Sequence, residues 1–513
     1  GWYIHKHGRI PPPNFDKWYA YAKDRNVLDL TDFDQIYHDL RPFWGLPAAE
    51  LRATVANLYN ESGVSVIKIA SHEAAMEGYG NAHPVTHWRA HTFIESISSF
   101  IKHLPDMEII LNLSDEPRVI VPFDAIERLN DVEYNSRAIA KNPSNDFHTT
   151  SNPPSDDENN KKAIIWMRDG GDPLFEVMLT ACPPSSPVFD EEYAPSGKYL
   201  TAKGGFVYNF NLSSDICTIG YLAKRLNGYL IAPSSTAVSQ NLIPIFSECK
   251  LSVNNDILYP ANMYFTDDER YTYKPEYDTK FEHKKDQAIW RGVPSEGLGN
   301  ADNWNRFQRH RLINLFNSSH VSENGLSMYS YICNSSNDEL CYPEDPRQYL
   351  NEHSDIGFTE IGWCPPEDET CIEKQYNQFE MKNQTTFAET FAYKYLFDVD
   401  GKTFSGRFIP FLQSLSLAFK STIFREWHDS RLIPWANFVP FDIEFKEAFA
   451  SLVYFTGYGD SAPARTALAK KIGENSQNWV NKAIRRDDMN AYKFLLLLEY
   501  ARILDDDRDA IGF

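Results

Sequence analysis

The chain has 513 residues, 42% hydrophobic and 14% aromatic, which is enough for two or three domains with substantial cores. A formal net charge of −21 leaves no basic surplus to neutralise phosphates and argues against a nucleic-acid partner. No apolar run approaches the ~18 residues of a membrane helix, and Gly1 opens directly into polar sequence without a signal peptide. The sequence therefore reads as soluble, or trimmed to be so.

In chain order, residues 1–60 are rich in Trp and Tyr, and Pro11-Pro12-Pro13 marks an extended start. A helical pattern covers Ala48 to Tyr59, and Val64 to Ile69 predicts a strand. His83, His87 and His91 follow at i, i+4 and i+8 on a helix that Pro84 can begin. That spacing admits a metal site, but no carboxylate or Cys completes a ligand set, so a groove-facing or core-facing helix is the better reading. Met107 to Leu113 predicts a buried strand running into Asn112-Leu113-Ser114-Asp115-Glu116-Pro117. A carboxylate just past the end of a buried strand is a common place for chemistry. Residues 142–162 form an aperiodic Pro/Ser/Asn/Asp loop. Ile164 to Met167 and Leu174 to Leu179 resume sheet and helix patterns, and Cys217 to Asn227 predicts a helix stopped by Gly228.

Further on, the acidic triplet Asp267-Asp268-Glu269 has the look of a metal motif but reads better as a solvated turn or helix cap. Ala288 to Gly292 predicts a strand ending in Arg291-Gly292, and Arg306, Arg309 and Arg311 follow on a helix. Glu389 to Leu396 is apolar-periodic and reaches Asp398-Val399-Asp400. Such a triplet can bind a metal and a diphosphate, but a strand end entering an Asp-Gly turn accounts for it here. Between Asp400 and Pro440, Leu415 to Phe419 and Asn437 to Val439 predict buried strands, and Ser405 to Ser414 predicts a short helix with Pro410 in its first turn. Ser405, Gly406 and Arg407 sit at that helix start, where free N–H groups and a partial positive charge suit a phosphate. Arg407 can add a two-pronged contact. Lys420, Ser421, Thr422 and Glu426 follow the next strand, where ligands sit in an open α/β sheet. Asn475 to Leu504 predicts two helices, and no repeat of 20–50 residues is present.

Seven cysteines give an odd count, and Cys333/Cys341 and Cys364/Cys371 are spaced for small disulfide loops. Asn60, Asn112, Asn211, Asn317, Asn334 and Asn383 open glycosylation triplets, a mild sign of the secretory pathway.

The string from Asp400 to Pro440 closely resembles the C-terminal half of glycosyltransferase family 90, the group of capsule-associated fungal proteins and animal protein O-glucosyltransferases. The resemblance runs from about Asp256 to Asp507. It returns at Asp115, where Asn112-x-x-Asp115-x-Pro117 matches the family's segment. It implies an α/β fold of two Rossmann-like domains facing a cleft, the glycosyltransferase-B arrangement. Residues 1–255 would be the acceptor side with the catalytic base, 256–474 the UDP-sugar-binding domain, and 475–513 helices crossing back to the first domain. It also implies an inverting transfer with Asp115 as general base. Arg291, Gly292, Ser405, Gly406, Arg407, Lys420, Ser421, Thr422 and Glu426 would hold the donor, with Arg291 and Arg407 on the diphosphate and Glu426 on the ribose. The UDP-sugar is then the only small-molecule partner besides a glycan acceptor, with no cofactor and no metal. Phe424-Arg425-Glu426-Trp427-His428-Asp429 looks closest to the fungal β-1,2-xylosyltransferases acting on mannose-containing glycans. A transferase of UDP-glucose or another UDP-sugar to glycan or protein, and an inactive carbohydrate-binding protein of the same fold, are the alternatives. The implied location is the Golgi lumen, with a membrane anchor N-terminal to this sequence.

Overall fold

The computed structural model describes residues 1–78, 87–151, 164–190, 193–202, 205–333 and 339–513. Two five-stranded sheets carry the fold. The first is built from β1 (Val64–Ala70), β2 (Glu73–Gly78), β3 (Met107–Asn112), β4 (Ile245–Ser247) and β5 (Ile257–Leu258), in the order β2-β1-β3-β4-β5. β3 is buried along nearly its whole length, as a central strand covered on both faces must be. β2 alternates exposed and half-buried residues and carries Glu73 and Glu77, which suits a sheet edge.

The second half of the chain supplies β6 (Lys285–Gly292), a small hairpin of β7 (Tyr331–Ile332) and β8 (Leu340–Cys341), then β9 (Ser354–Phe358), β10 (Tyr393–Val399), β11 (Leu417–Ser421) and β12 (Val439–Pro440). The second sheet runs β12-β11-β10-β6-β9 and is parallel throughout. Its registers place Phe397 opposite Phe419 and Trp290 opposite Ile356. β11 is buried at every position, the pattern of a parallel strand under helices on both faces.

The protein is thus a mixed α/β fold containing parallel strands. The sequence reading of two Rossmann-like sheets fits the second sheet better than the first, where β1 pairs antiparallel with both β2 and β3. Only β3, β4 and β5 run parallel there. The edge strand β5 also lies past residue 255. Ile164 to Met167 forms no strand, and only Met167 makes an isolated bridge, to Val238.

The last helix, Arg486–Leu504, is buried on nearly every face because its Phe494 to Leu498 run leaves no polar side. It packs against first-sheet elements. Trp18 Nε1 donates to the Ala491 carbonyl at 2.9 Å, Phe494 stacks on Phe100 with ring centroids 4.7 Å apart, and the Tyr500 hydroxyl donates to the Glu108 carbonyl at 3.2 Å.

Disulfides join Cys333 to Cys341 and Cys364 to Cys371, and a third, Cys182–Cys217, ties the segment after helix Asp172–Thr180 to helix Ile216–Leu226. Cys249 is free and buried. Three disulfides fit a secreted or lumenal protein. Among the described residues no helix is long and apolar enough to cross a membrane. Of the glycosylation triplets, Asn60, Asn211 and Asn383 are exposed, Asn112 is buried, and Asn334 lies outside the described residues. His83 and Pro84 also lie outside them. The helix there begins at Trp88, and His91 is exposed. The acidic triplet is a surface turn, with Asp268 bonded to Arg270 and Asp267 paired with Arg486.

Candidate active site

The C-terminal ends of β3 and β10 face each other, with Lys402 after β10 lying 3.8 Å from Asp115 after β3. β3 ends at Asn112, whose side chain shapes the turn that follows. Its Nδ2 donates to the Glu116 carbonyl at 2.8 Å and to Ser247 Oγ at 3.1 Å, and its Oδ1 accepts from the Ser114 N–H at 3.0 Å. This Asx-type turn lifts Asp115 to the rim, its side chain 36% exposed. Arg89, at the start of helix Trp88–Ile97, donates to Asp115 Oδ1. Glu116, next in the chain, is buried and accepts from Ser235 at 2.8 Å. Burial pushes its carboxyl above the usual range, against the pull of Lys402.

Opposite stands the turn after β10. Lys402 Nζ reaches to 3.8 Å from Asp115 Oδ2 and 3.4 Å from Glu116 Oε1. Between the walls lies a cleft of about 480 Å³, with Trp88, Arg89 and Asp115 on one side and Arg309, Lys402 and Gly406 on the other. Its size falls within the range of small-molecule sites. Two glycines let the far wall come close. A Cβ at Gly406 would collide with Met263 Sδ and the Tyr271 ring, and one at Gly401 with Arg309 Nη2. Arg309 is held by the carbonyls of Val293 at 2.6 Å and Asp400 at 3.2 Å, and by Ser295 Oγ at 2.9 Å.

The residues read from the sequence separate into groups. Asp115 and Gly406 line this cleft. Ser405 is buried behind it, and Arg407 Nε lies 3.4 Å from Ser405 Oγ. Arg407 Nη1 donates to the Arg291 carbonyl at 2.7 Å, and burial lowers its guanidinium to about 10. The Arg291 side chain itself runs toward β9, where Nη2 pairs with Asp355 Oδ1 at 2.6 Å. Arg291 and Gly292 are not among the residues lining the cleft. The following helix is shorter than the sequence suggested, Phe408–Gln413, with Pro410 as its third residue.

Lys420, Ser421, Thr422 and Glu426 are all buried. Lys420 Nζ lies 3.3 Å from Asp398 Oδ2 and 3.7 Å from Glu426 Oε1, and Glu426 Oε2 accepts from the Tyr264 hydroxyl at 2.9 Å. Burial alone would lower the Lys420 pKa, but Asp398, Glu426 and Asp400 carry it above its ordinary value. Burial pushes Glu426 up to about 8 and Asp400 up to about 7. Asp400 Oδ2 accepts from the Ile423 N–H at 2.9 Å. Asp398 and Asp400 thus sit at a strand end within a lysine-centred network. Among the described residues, His148, Asp505 and Asp507 are the side chains grouped closely enough to share a metal, on a largely exposed tail.

Arg89, Lys402 and Arg309 are among the cleft residues that the sequence did not single out. Arg89 stood beside the histidines that drew attention to that helix. Lys402 lay inside the Asp400-Gly-Lys turn. Arg309 was one of three arginines on a helix, and nothing in the spacing says which of them faces the cleft.

Residues 231–508, more than half of the chain, match the family model described as glycosyl transferase family 90. No curated protein sequence is matched.

Proposed function

Since this chain belongs to glycosyl transferase family 90 and is a glycosyltransferase, we propose that it moves a sugar from a UDP-sugar to a glycan hydroxyl with inversion. Xylose is the proposed sugar and a mannose-containing glycan the acceptor, in the Golgi lumen. The observation that carries this reading is the position of Asp115. Its carboxylate stands at the rim of a cleft whose other wall offers Arg309 and Lys402.

In the proposed reaction the acceptor hydroxyl gives its proton to the Asp115 carboxylate. The freed oxygen pair forms the new bond to the anomeric carbon. The bond from that carbon to the diphosphate breaks, and its electrons leave with UDP. Negative charge therefore grows on the diphosphate in the transition state, so fixed cations beside it speed the chemistry as well as binding. Arg309 and Lys402 are placed for that role, and Arg407 backs the turn that carries Gly406. Trp88 and Tyr271 bring aromatic rings to the cleft lining, where a sugar would sit in this reading. In this reading no divalent metal is needed, and activity persists in EDTA. The buried set around Lys420 and Glu426 does not line this cleft, and in this reading it reaches the ribose only if the loops after β11 open on donor binding.

The test is a donor screen with the purified protein. UDP-xylose, UDP-glucose and GDP-mannose are each offered with mannose-containing oligosaccharides, and released nucleotide and elongated product are measured. The reading expects turnover with UDP-xylose. Turnover with UDP-glucose alone would reassign the sugar. A folded protein that binds glycans but hydrolyses and transfers nothing would mark it as an inactive binding protein.

A further inference from the structure

Arg89 is the second residue of its helix and is buried against the loop that carries Asp115. Its guanidinium is used in three directions. Nη1 donates to the Leu113 carbonyl at 3.1 Å, Nη2 donates to Asp115 Oδ1, and Nε lies 3.4 Å from Glu248 Oε2. Glu248 is buried as well, and its other oxygen accepts from the Asn262 N–H at 2.8 Å. Glu248 is therefore fixed from behind and restrains Arg89 in turn.

We propose that Arg89, backed by Glu248, is the positioning residue of the catalytic base. It fixes the loop through the Leu113 carbonyl and the carboxylate through Oδ1, leaving Oδ2 as the atom that takes the acceptor's proton. This rests on the reading of Asp115 as the base.

The chemistry requires an arginine. A planar fork can hold a backbone carbonyl and a carboxylate two residues apart while a third edge meets Glu248. A lysine offers one nitrogen and can keep the charge but not the geometry. Apart from Arg89, Asp115 meets the Lys402 charge 3.8 Å from Oδ2, and its side chain is one-third exposed. Across the cleft, Lys402 stands 3.8 Å from Oδ2, too far for a hydrogen bond, so that oxygen faces the space where an acceptor hydroxyl would lie. A base misplaced by about 1 Å can cost roughly 10²-fold in rate, which sets the scale of the effect.

The experiment compares wild type, Arg89→Ala, Arg89→Lys, Asp115→Asn and the double variant Arg89→Ala/Asp115→Asn. Transfer turnover, UDP affinity by titration calorimetry and melting temperature are measured for each. Arg89→Ala is expected to keep UDP affinity and lose about 10²-fold in turnover, with partial recovery in millimolar guanidinium. Arg89→Lys is expected to lose several-fold and to bind UDP normally. The double variant should be no slower than Asp115→Asn, because a positioning residue has nothing left to position. Wild-type turnover in folded Arg89→Ala or Arg89→Lys would overturn the proposal. A loss in the double variant that multiplies the two single losses would overturn it too. Should Arg89→Ala not fold, Arg89→Lys carries the test alone. The base reading fails separately, if Asp115→Asn turns over like wild type.

Discussion

The two walls of the cleft handle charge in opposite ways. On the first-sheet wall Asp115 stands at the rim, held on one oxygen by Arg89, with Lys402 3.8 Å from the other. Behind the second-sheet wall, Asp398, Asp400, Lys420 and Glu426 are buried, with Lys420 between Asp398 and Glu426. An exposed carboxylate can exchange protons with a substrate at little structural cost. A buried ion network cannot lose a member without leaving charge stranded. Altering Asp115 should therefore cost turnover, and altering the buried network around Lys420 should cost stability.

The largest stability effect is expected at Lys420. Lys420→Met removes the cation that Asp398 and Glu426 share, and should destabilise the protein by about 3–5 kcal/mol. A thermal melt checks it. A change under ~1 kcal/mol would mean the network is not the scaffold described, and the contrast between the walls would collapse.

A smaller effect is expected at Arg407, which sits between the two behaviours. Arg407→Lys loses the fork that reaches the Arg291 carbonyl, and should weaken UDP binding about tenfold with the fold intact. Titration calorimetry against UDP reads this directly. Unchanged affinity with a lowered melting temperature would move Arg407 wholly to the structural side.

The smallest effect is a slope. Glu426 is raised to about 8 and Asp400 to about 7 by burial. The folded state thus holds protons that the unfolded chain releases in the ordinary carboxylate range. Stability from these groups is full below that range, is lost progressively as pH climbs from it, and is gone above about 7 for Asp400 and about 8 for Glu426. Melting temperature should fall across that window, and Glu426→Gln, which stays neutral, should flatten the fall. An unchanged slope in the variant would show that other groups set it.

Much of the second wall was legible in the sequence, because parallel strands buried on both faces read as short apolar runs. Leu417–Ser421 and Val439–Pro440 fall within two residues of the runs that predicted them. β3 was equally plain, and the carboxylate after it marked the first wall. The mixed pairing of the first sheet was not legible, since apolar pattern fixes which face a strand buries and not which way its neighbour runs. The Cys182–Cys217 bridge spans 35 residues, and no spacing rule reaches that far. Arg291 was placed correctly at the end of β6, but its partner Asp355 comes from β9, a neighbour that only the sheet order reveals. For the same reason Arg89 and Lys402 escaped notice. Each matters through a contact with Asp115, and one of those contacts crosses from one sheet to the other.

The central claim is that Asp115 takes the acceptor's proton on the open wall. It is tested most directly by measuring sugar transfer and UDP affinity side by side in folded Asp115→Asn. The account predicts UDP affinity equal to wild type and turnover reduced by roughly 10²–10⁴. Turnover equal to wild type in that variant would contradict it.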